Sequence, residues 1–343
     1  MRPPARVALV GCGTIATAVH LRVLRRSSDA RLVGVADPAE AARDRATRVG
    51  RVPAVADAMA LITSQGVDAV VVTAPPLAHA ELAIAALEAG KHLYLEKPLA
   101  TTVEDGAAVV AAGDVAGVIA AIGFNRRFHP LFERARELVA AGAIGPVVAV
   151  QSVFGEPLEP ETMPAWRRHR ESGGGVLLEL ASHHLDLIPW LVGAPIESAE
   201  AAIGSERTED DQAAVRLQLT DGVTADAFFS FRAARADTIL VVGRVGTLRV
   251  DRYAAALDLR VGRGALAAVR HVRVGTTRGL VEWRLKRLVR PANEPSYGRA
   301  LSAWLAALRG HTRTLPTLTD GLRALELVHE AESSAVERAA VSP

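Results

Sequence analysis

The 343-residue sequence holds one cysteine, Cys12, which excludes an intrachain disulfide and a cysteine-built metal site. Aromatic residues are only 4% of the chain, while apolar residues, mostly Ala, Val and Leu, make up half of it. That balance suits helices packed on a Val/Leu-rich sheet, and the length allows two domains with their own cores. No stretch reads as a membrane span, because the Ala-rich run 107–124 is broken by Asp114 and several glycines. The net charge is +2. The high isoelectric point, near 9.0, partly reflects the dominance of arginine. The pairs Arg25-Arg26, Arg126-Arg127 and Arg167-Arg168 are scattered and no DNA- or RNA-binding motif accompanies them, so no nucleic-acid partner is expected. There is no internal repeat and no long low-complexity linker.

Lysine is the other scarcity. Of forty Lys and Arg residues only Lys91, Lys97 and Lys286 are lysines. Arginine does not give up its proton in a protein, whereas lysine does so when its surroundings shift it. A lysine kept in "YLEKPLA", between Glu96 and Pro98, is therefore a candidate for proton chemistry. Alone, it is better read as a solvated surface charge, since such charges far outnumber catalytic ones.

What is present is alternation. "RVALVG" reads as a strand, and a helical pattern runs from Ile15 to about Arg26. "ARLVGVAD", "DAVVVTAPP", "KHLYLEKP" and "GVIAAIGF" read as further strands between helices, which predicts a doubly wound parallel sheet over the first 123 residues. The basic start followed by "VALVGCGTIATAVHL" imitates a signal peptide, but its glycines are spaced for a phosphate loop, so a cytoplasmic protein is expected.

"GCGTIA" fits the dinucleotide fingerprint. Gly11 permits the tight turn, Gly13 the close approach of a pyrophosphate, and Ala16 the packing of helix on sheet. Thr14, Ile15 and Ala16 open the helix whose N–H groups face the anion. Asp37 lies at the end of the second strand, where a carboxylate binds ribose hydroxyls and repels the extra phosphate of NADP. NAD is the expected cofactor, with NADP left open by Arg43 and Arg45. Lys97 then falls just past the carboxyl end of a parallel strand, where ligands of such sheets bind.

The second part, 124–343, reads as strands at Pro146–Glu156, Ile196–Ile203, Ala213–Leu219, Val223–Phe231, Thr238–Val242 and Leu248–Asp251, with turns at Asp221-Gly222 and Val245-Gly246. An α+β domain with a large, mostly antiparallel sheet is expected. Among its strands, "GGGVLLELASHHLDLIPWLVG" predicts a helix with Glu179, His183 and Asp186 on one face and His184 elsewhere. A carboxylate beside an imidazole suits general acid–base work. A metal set of Glu179, His183 and His169 matches no zinc spacing, and no metal is expected. Segment 282–290, "EWRLKRLVR" from its second residue on in "VEWRLKRLVR", is basic and amphipathic and reads as a helix of this domain.

The chain resembles the Gfo/Idh/MocA family of glucose–fructose oxidoreductases, inositol dehydrogenases and their relatives. The resemblance runs through "GCGTIA", "VADP", "TAPPLAHAELAIAALEAGKHLYLEKPLA", "GFNRRFHPLF", "AIGPVV", "WRRHRESGGGVLLELASHHLDL", "VVGRVGTLRVD" and "PSYGRALSAWLAALRG". It implies a Rossmann domain followed by a substrate domain whose open sheet forms the interface of a homo-oligomer, dimer or tetramer. It implies cofactor contacts from Thr73, Ala74, Pro75, His79, Glu96 and Lys97, with Lys97 also on the reacting hydroxyl and His183 as general base. Glu179 stands where the family usually has Asp. The substrate implied is a polyol, sugar or sugar derivative. By their chemistry Trp166 is a candidate to cover a sugar face and Arg127 and Arg167 to hold an acidic or phosphorylated group, though surface arginines are the plainer reading, and Asp186 is a further candidate contact. Two other outcomes are known for such chains: glycoside cleavage by transient oxidation and elimination, and NAD binding without turnover in a regulator.

Overall fold

The run Ala69–Val72 is completely buried, which an isolated four-residue strand achieves only when both faces of its sheet are covered. In the computed structural model, which describes residues 3–262, 268–271, 294–311 and 314–341, it is a central strand of a six-stranded sheet. The strands are β1 (Ala5–Val10), β2 (Ala30–Ala36), β3 (Ala54–Val55), β4 (Ala69–Val72), β5 (His92–Leu95) and β6 (Ala120–Ile122). All pairings are parallel and the order is β3-β2-β1-β4-β5-β6. Alternate residues feed two cores. Val70, Val72, Leu93 and Leu95 join one, and Val7, Leu9, Val71 and Tyr94 the other. Strand order reverses between β1 and β4, which places a ligand crevice at their carboxyl ends.

The compact units divide the chain differently from the expected boundary after residue 123. The first unit is Met1–Asn125 with Arg290–Leu325; the second is Arg126–Val289 with Glu326–Pro343. The helix Pro295–Leu308, expected in the second domain, lays Leu301, Trp304, Leu305 and Leu308 onto the core that holds Val7, Leu9 and Leu21. An amphipathic stripe announces that it must be covered but not by which sheet.

In the second unit the strands are β7 (Val147–Gly155), β8 (Ile196–Gly204), β9 (Gln212–Leu219), β10 (Thr224–Ser230), β11 (Ala236–Gly243), β12 (Gly246–Asp251), β13 (Ala256–Val261) and β14 (Ala268–His271). They form one sheet in the order β14-β13-β12-β11-β7-β10-β9-β8, antiparallel except for the β7–β10 pair. The mostly antiparallel sheet is therefore present, with β13 and β14 as additions. Their signal was the alternation of Leu257 and Leu259, buried, with Asp258 and Arg260. Asp221 and Gly222 both take positive φ, 65° and 73°, in the turn between β9 and β10. Segment 282–290 lies outside the described residues.

One buried polar network crosses this unit. Asp237 is wholly buried and pairs with Arg126 and Arg252, each at 2.5 Å. Next to it, His184 meets Ser152 Oγ through Nδ1 at 2.6 Å, and Asp237 and Arg126 through Nε2 at 3.2 and 3.1 Å. Ser152, His184 and Asp237 are each at most 3% exposed, so this Ser/His/Asp set holds the core and offers no nucleophile to a substrate. Burial would raise the Asp237 carboxyl, but the two guanidiniums and the His184 hydrogen bond outweigh it and hold it well below the usual range. Because its folded value is depressed, the stability it contributes is present above the unfolded carboxyl value, about 4, and is lost as pH falls through the folded value. Asp237→Ala should cost about 3–5 kcal/mol at neutral pH, because two buried guanidiniums lose the carboxylate that compensates them. Denaturant titration checks this, and an unchanged midpoint would show the network to be energetically idle.

Candidate active site: the nucleotide cradle and the acid–base helix

The first unit builds the cradle around the β1 turn. Gly11 has φ +89°, and a Cβ there would collide with the backbone of Thr73 and Ala74. Thr73 seals the same junction, its Oγ1 donating to Gly11 O at 2.5 Å. Above Gly13 the position of a Cβ is open, with nothing within 4 Å, which is the space a pyrophosphate needs. The helix begins at Thr14, so the N–H groups of its first turn face outward without intrahelical acceptors. Ala16 is buried against the sheet. These features fit a dinucleotide, with Gly11, Gly13, Thr14 and Ile15 as the residues to hold its phosphates.

Asp37 sits at the end of β2 with its carboxylate fixed from both sides. Oδ2 accepts from Cys12 N at 2.7 Å and Oδ1 from Ala39 N at 2.8 Å. Arg43 donates through Nη1 to the carbonyls of Asp37 and Pro38, both at 2.8 Å. Burial, with Asp37 nearby, pushes the Cys12 thiol up to about 12, so the lone cysteine is no nucleophile.

Lys97 follows β5 directly. From Leu93 to Ala100 every residue is buried except Lys97. Glu96, expected among the cofactor contacts, turns its carboxylate into the core, where Oε1 meets His20 Nε2 at 2.7 Å. His79 is 1% exposed; Nδ1 faces Pro98 O at 2.6 Å and Nε2 faces Ala74 O at 2.8 Å. His79 thus serves the backbone around the cradle, while Glu96 ties β5 to the helix that carries His20. His20 was invisible in the sequence, where it reads as one polar residue on a helix.

In the second unit the three glycines 173–175 lead into a π-helical turn, Leu177–Ala181, and the α-helix Ser182–Val192. Gly174 is required there, since a Cβ would strike the carbonyl of Arg167. The π turn carries Glu179 and feeds His183, so the expected i,i+4 alignment is loosened by the wider turn. Glu179 is held by Arg167, whose Nε donates to Oε2 at 2.7 Å with Nη2 on the same oxygen. Asp186 is held by Arg127, Nε to Oδ2 at 3.0 Å and Nη2 to Oδ1. His183 is 7% exposed and its ring lies 6.2 Å from that of Phe154. His184 faces the buried network, away from this set. Trp166 is half-buried, with the Arg167 guanidinium 5.9 Å from its ring. His169 stands apart, 63% exposed and 3.6 Å from Glu209. Among the described residues no three His, Cys, Asp or Glu side chains converge to hold a metal ion, and no helix is long and apolar enough to cross a membrane.

Residues 5–124 match the oxidoreductase family with an NAD-binding Rossmann fold, and residues 132–249 match the GFO/IDH/MocA C-terminal domain. The chain belongs to the Gfo/Idh/MocA family. It is 31% identical over 329 residues to a 1,5-anhydro-D-fructose reductase of Ensifer adhaerens, covering 93% of each chain. An inositol 2-dehydrogenase of Rhizobium meliloti is 27% identical over 349 residues, 98% of each. Among solved structures, an oxidoreductase domain protein from Kribbella flavida superposes with a TM-score of 0.85 over 98% of each chain, at 25% identity. The Gfo/Idh/MocA assignment makes residues 5–124 an NAD-binding domain and the chain an NAD(P)-dependent oxidoreductase.

Proposed function

We propose that the protein transfers a hydride between NAD and a secondary alcohol or ketone of an uncharged polyol, sugar or inositol. The observation that carries this reading is Lys97, the single partly exposed residue in a buried run, at the carboxyl end of β5 in the NAD-binding unit. Bound NAD supplies the hydride acceptor. Lys97 stabilises the charge developing on the reacting oxygen, and His183 takes the hydroxyl proton. The names of the relatives, reductase and dehydrogenase, favour net hydride transfer over glycoside cleavage or a silent regulator.

The arginines narrow the substrate. Arg127 is committed to Asp186 and Arg167 to Glu179, so neither presents an uncompensated positive charge to a carboxylate or phosphate. The same pairs support a role for Glu179 and Asp186 in holding arginines, with Trp166 as an apolar face for a sugar ring. Assembly through the large sheet, in the cytoplasm, completes the proposal. Its outer face carries cross-strand charge pairs, Glu200 opposite Arg216, Arg216 opposite Asp226 and Arg249 opposite Asp258. Screening sugars, inositols and their phosphorylated or carboxylated forms for NAD-dependent absorbance at the nicotinamide band tests the proposal. Turnover restricted to anionic substrates would overturn the uncharged class.

Cofactor choice gives a separate prediction. The fixed Asp37 carboxylate should make NADPH bind at least about tenfold more weakly than NADH, a cost of about 1.4 kcal/mol for placing a phosphate beside it. Asp37→Ser should narrow that gap. Fluorescence titration of both cofactors checks it, and equal affinities in the wild-type protein would show that the arginines outweigh Asp37.

A further inference from the structure

Two buried histidines of the first unit contact the residues on either side of Lys97, His20 through Glu96 and His79 through Pro98 O. Tyr94 and Glu96 point to the same face of β5, the face that packs Leu21, Leu24 and Trp304. An apolar residue would satisfy position 96. Instead a carboxylate is buried at 7% exposure and must be met by His20, itself fully buried. Gly123 closes the other side, since a Cβ there would lie 2.8 Å from Glu96 Oε2, and its N–H bonds Leu95 O at 2.7 Å. Replacing such a buried pair with apolar side chains is commonly neutral or stabilising, so stability does not account for it.

The second histidine completes a pattern. The buried His79 ring lies between Pro98 O and Ala74 O, and its neutral form, which burial favours, donates to one of the two; Ala74 is the residue packed against Gly11. His20 ends the π turn Ala16–His20, on the helix that starts at the dinucleotide loop. One route therefore runs from the phosphate loop through its helix to His20 and on to Glu96, the residue before Lys97. The other runs from Gly11 through Ala74 and His79 to Pro98, the residue after it.

We propose that His20–Glu96 and His79 are positioning residues that couple occupancy of the nucleotide loop to the placement of Lys97. The inference rests on the proposed role of Lys97 beside the cofactor. His20 acts through the Glu96 side chain and His79 through the backbone beside it, and neither is a catalytic residue.

The scarcity of lysine makes a substrate-free test practical. Trace acetylation with acetic anhydride, read by mass spectrometry with and without saturating NADH, reports Lys97 against Lys91. Lys91 is an internal control, its Nζ bonded to the carbonyls of Ser64 and Val67 at 3.1 and 2.9 Å. In the wild-type protein NADH should slow acetylation of Lys97 at least about fivefold relative to Lys91, the low end of ordinary coupling between sites. The double variant His20→Leu, Glu96→Leu should still melt cooperatively and bind NADH, yet show protection below about twofold. His20→Gln, which keeps an N–H donor for Glu96, should restore protection. If the double variant does not fold, Glu96→Gln and His79→Leu are read in the same way. Full protection in folded variants that bind NADH overturns the coupling and leaves the role of Lys97 intact. Absence of protection in the wild-type protein overturns the role of Lys97, and the coupling with it.

Discussion

Replacing Lys97 with methionine should lower kcat by at least about a hundredfold, the usual cost of removing a group that stabilises charge in the transition state. The affinity for NADH should stay within about threefold, because the phosphate loop, Asp37 and the helix that begins at Thr14 do not depend on the lysine. Methionine keeps the length and apolar stem, so Leu95, Pro98 and Leu99 retain their packing. Lys97→Arg is the sharper variant. It keeps the charge but replaces a compact ammonium with a planar fork that does not share its proton, and turnover should still fall at least about tenfold. Steady-state kinetics with separate cofactor titrations decide it. Wild-type turnover in the arginine variant would make Lys97 a plain cation.

His183→Asn should reduce turnover by about a hundredfold to ten-thousandfold, the range for losing a positioned general base. His183 is nearly buried in a helix whose neighbour, His184, is locked into Ser152, Arg126 and Asp237. Asparagine keeps a hydrogen-bonding head of similar reach, so the helix Ser182–Val192 should persist and thermal melting should change little. Glu179→Gln separates two roles. If Glu179 serves chiefly to hold Arg167, the glutamine weakens that charge-assisted bond and raises KM more than it lowers kcat. A loss confined to kcat would instead join Glu179 to the chemistry on His183.

The parts of the molecule that were legible in the sequence share one property: their signal is local. Gly11 and Gly13 lie within three residues, and Asp37 ends the next strand. The buried run of β4 and the turn at Asp221-Gly222 are also carried by neighbours in the chain. What was hidden depends on contacts distant in sequence. His20 and Glu96 are 76 residues apart, and Ser152, His184 and Asp237 are drawn from three elements. The return of Pro295–Leu308 to the first unit is a choice between two apolar sheets that one helical stripe does not encode. The π turn at Leu177–Ala181 leaves no mark in the sequence, because residues four apart share a face at the α-helical pitch and only the folded backbone shows the wider turn.

The central claim is net hydride transfer to NAD from a carbon that bears a hydroxyl group. The most direct measurement uses the inositol or sugar that gives turnover, deuterated at its reacting carbon, with NAD as acceptor. Mass spectrometry of the nicotinamide product should show one deuterium per NADH formed, with ketone accumulating in equal amount. Product without net NADH, or NADH without deuterium, would contradict the account.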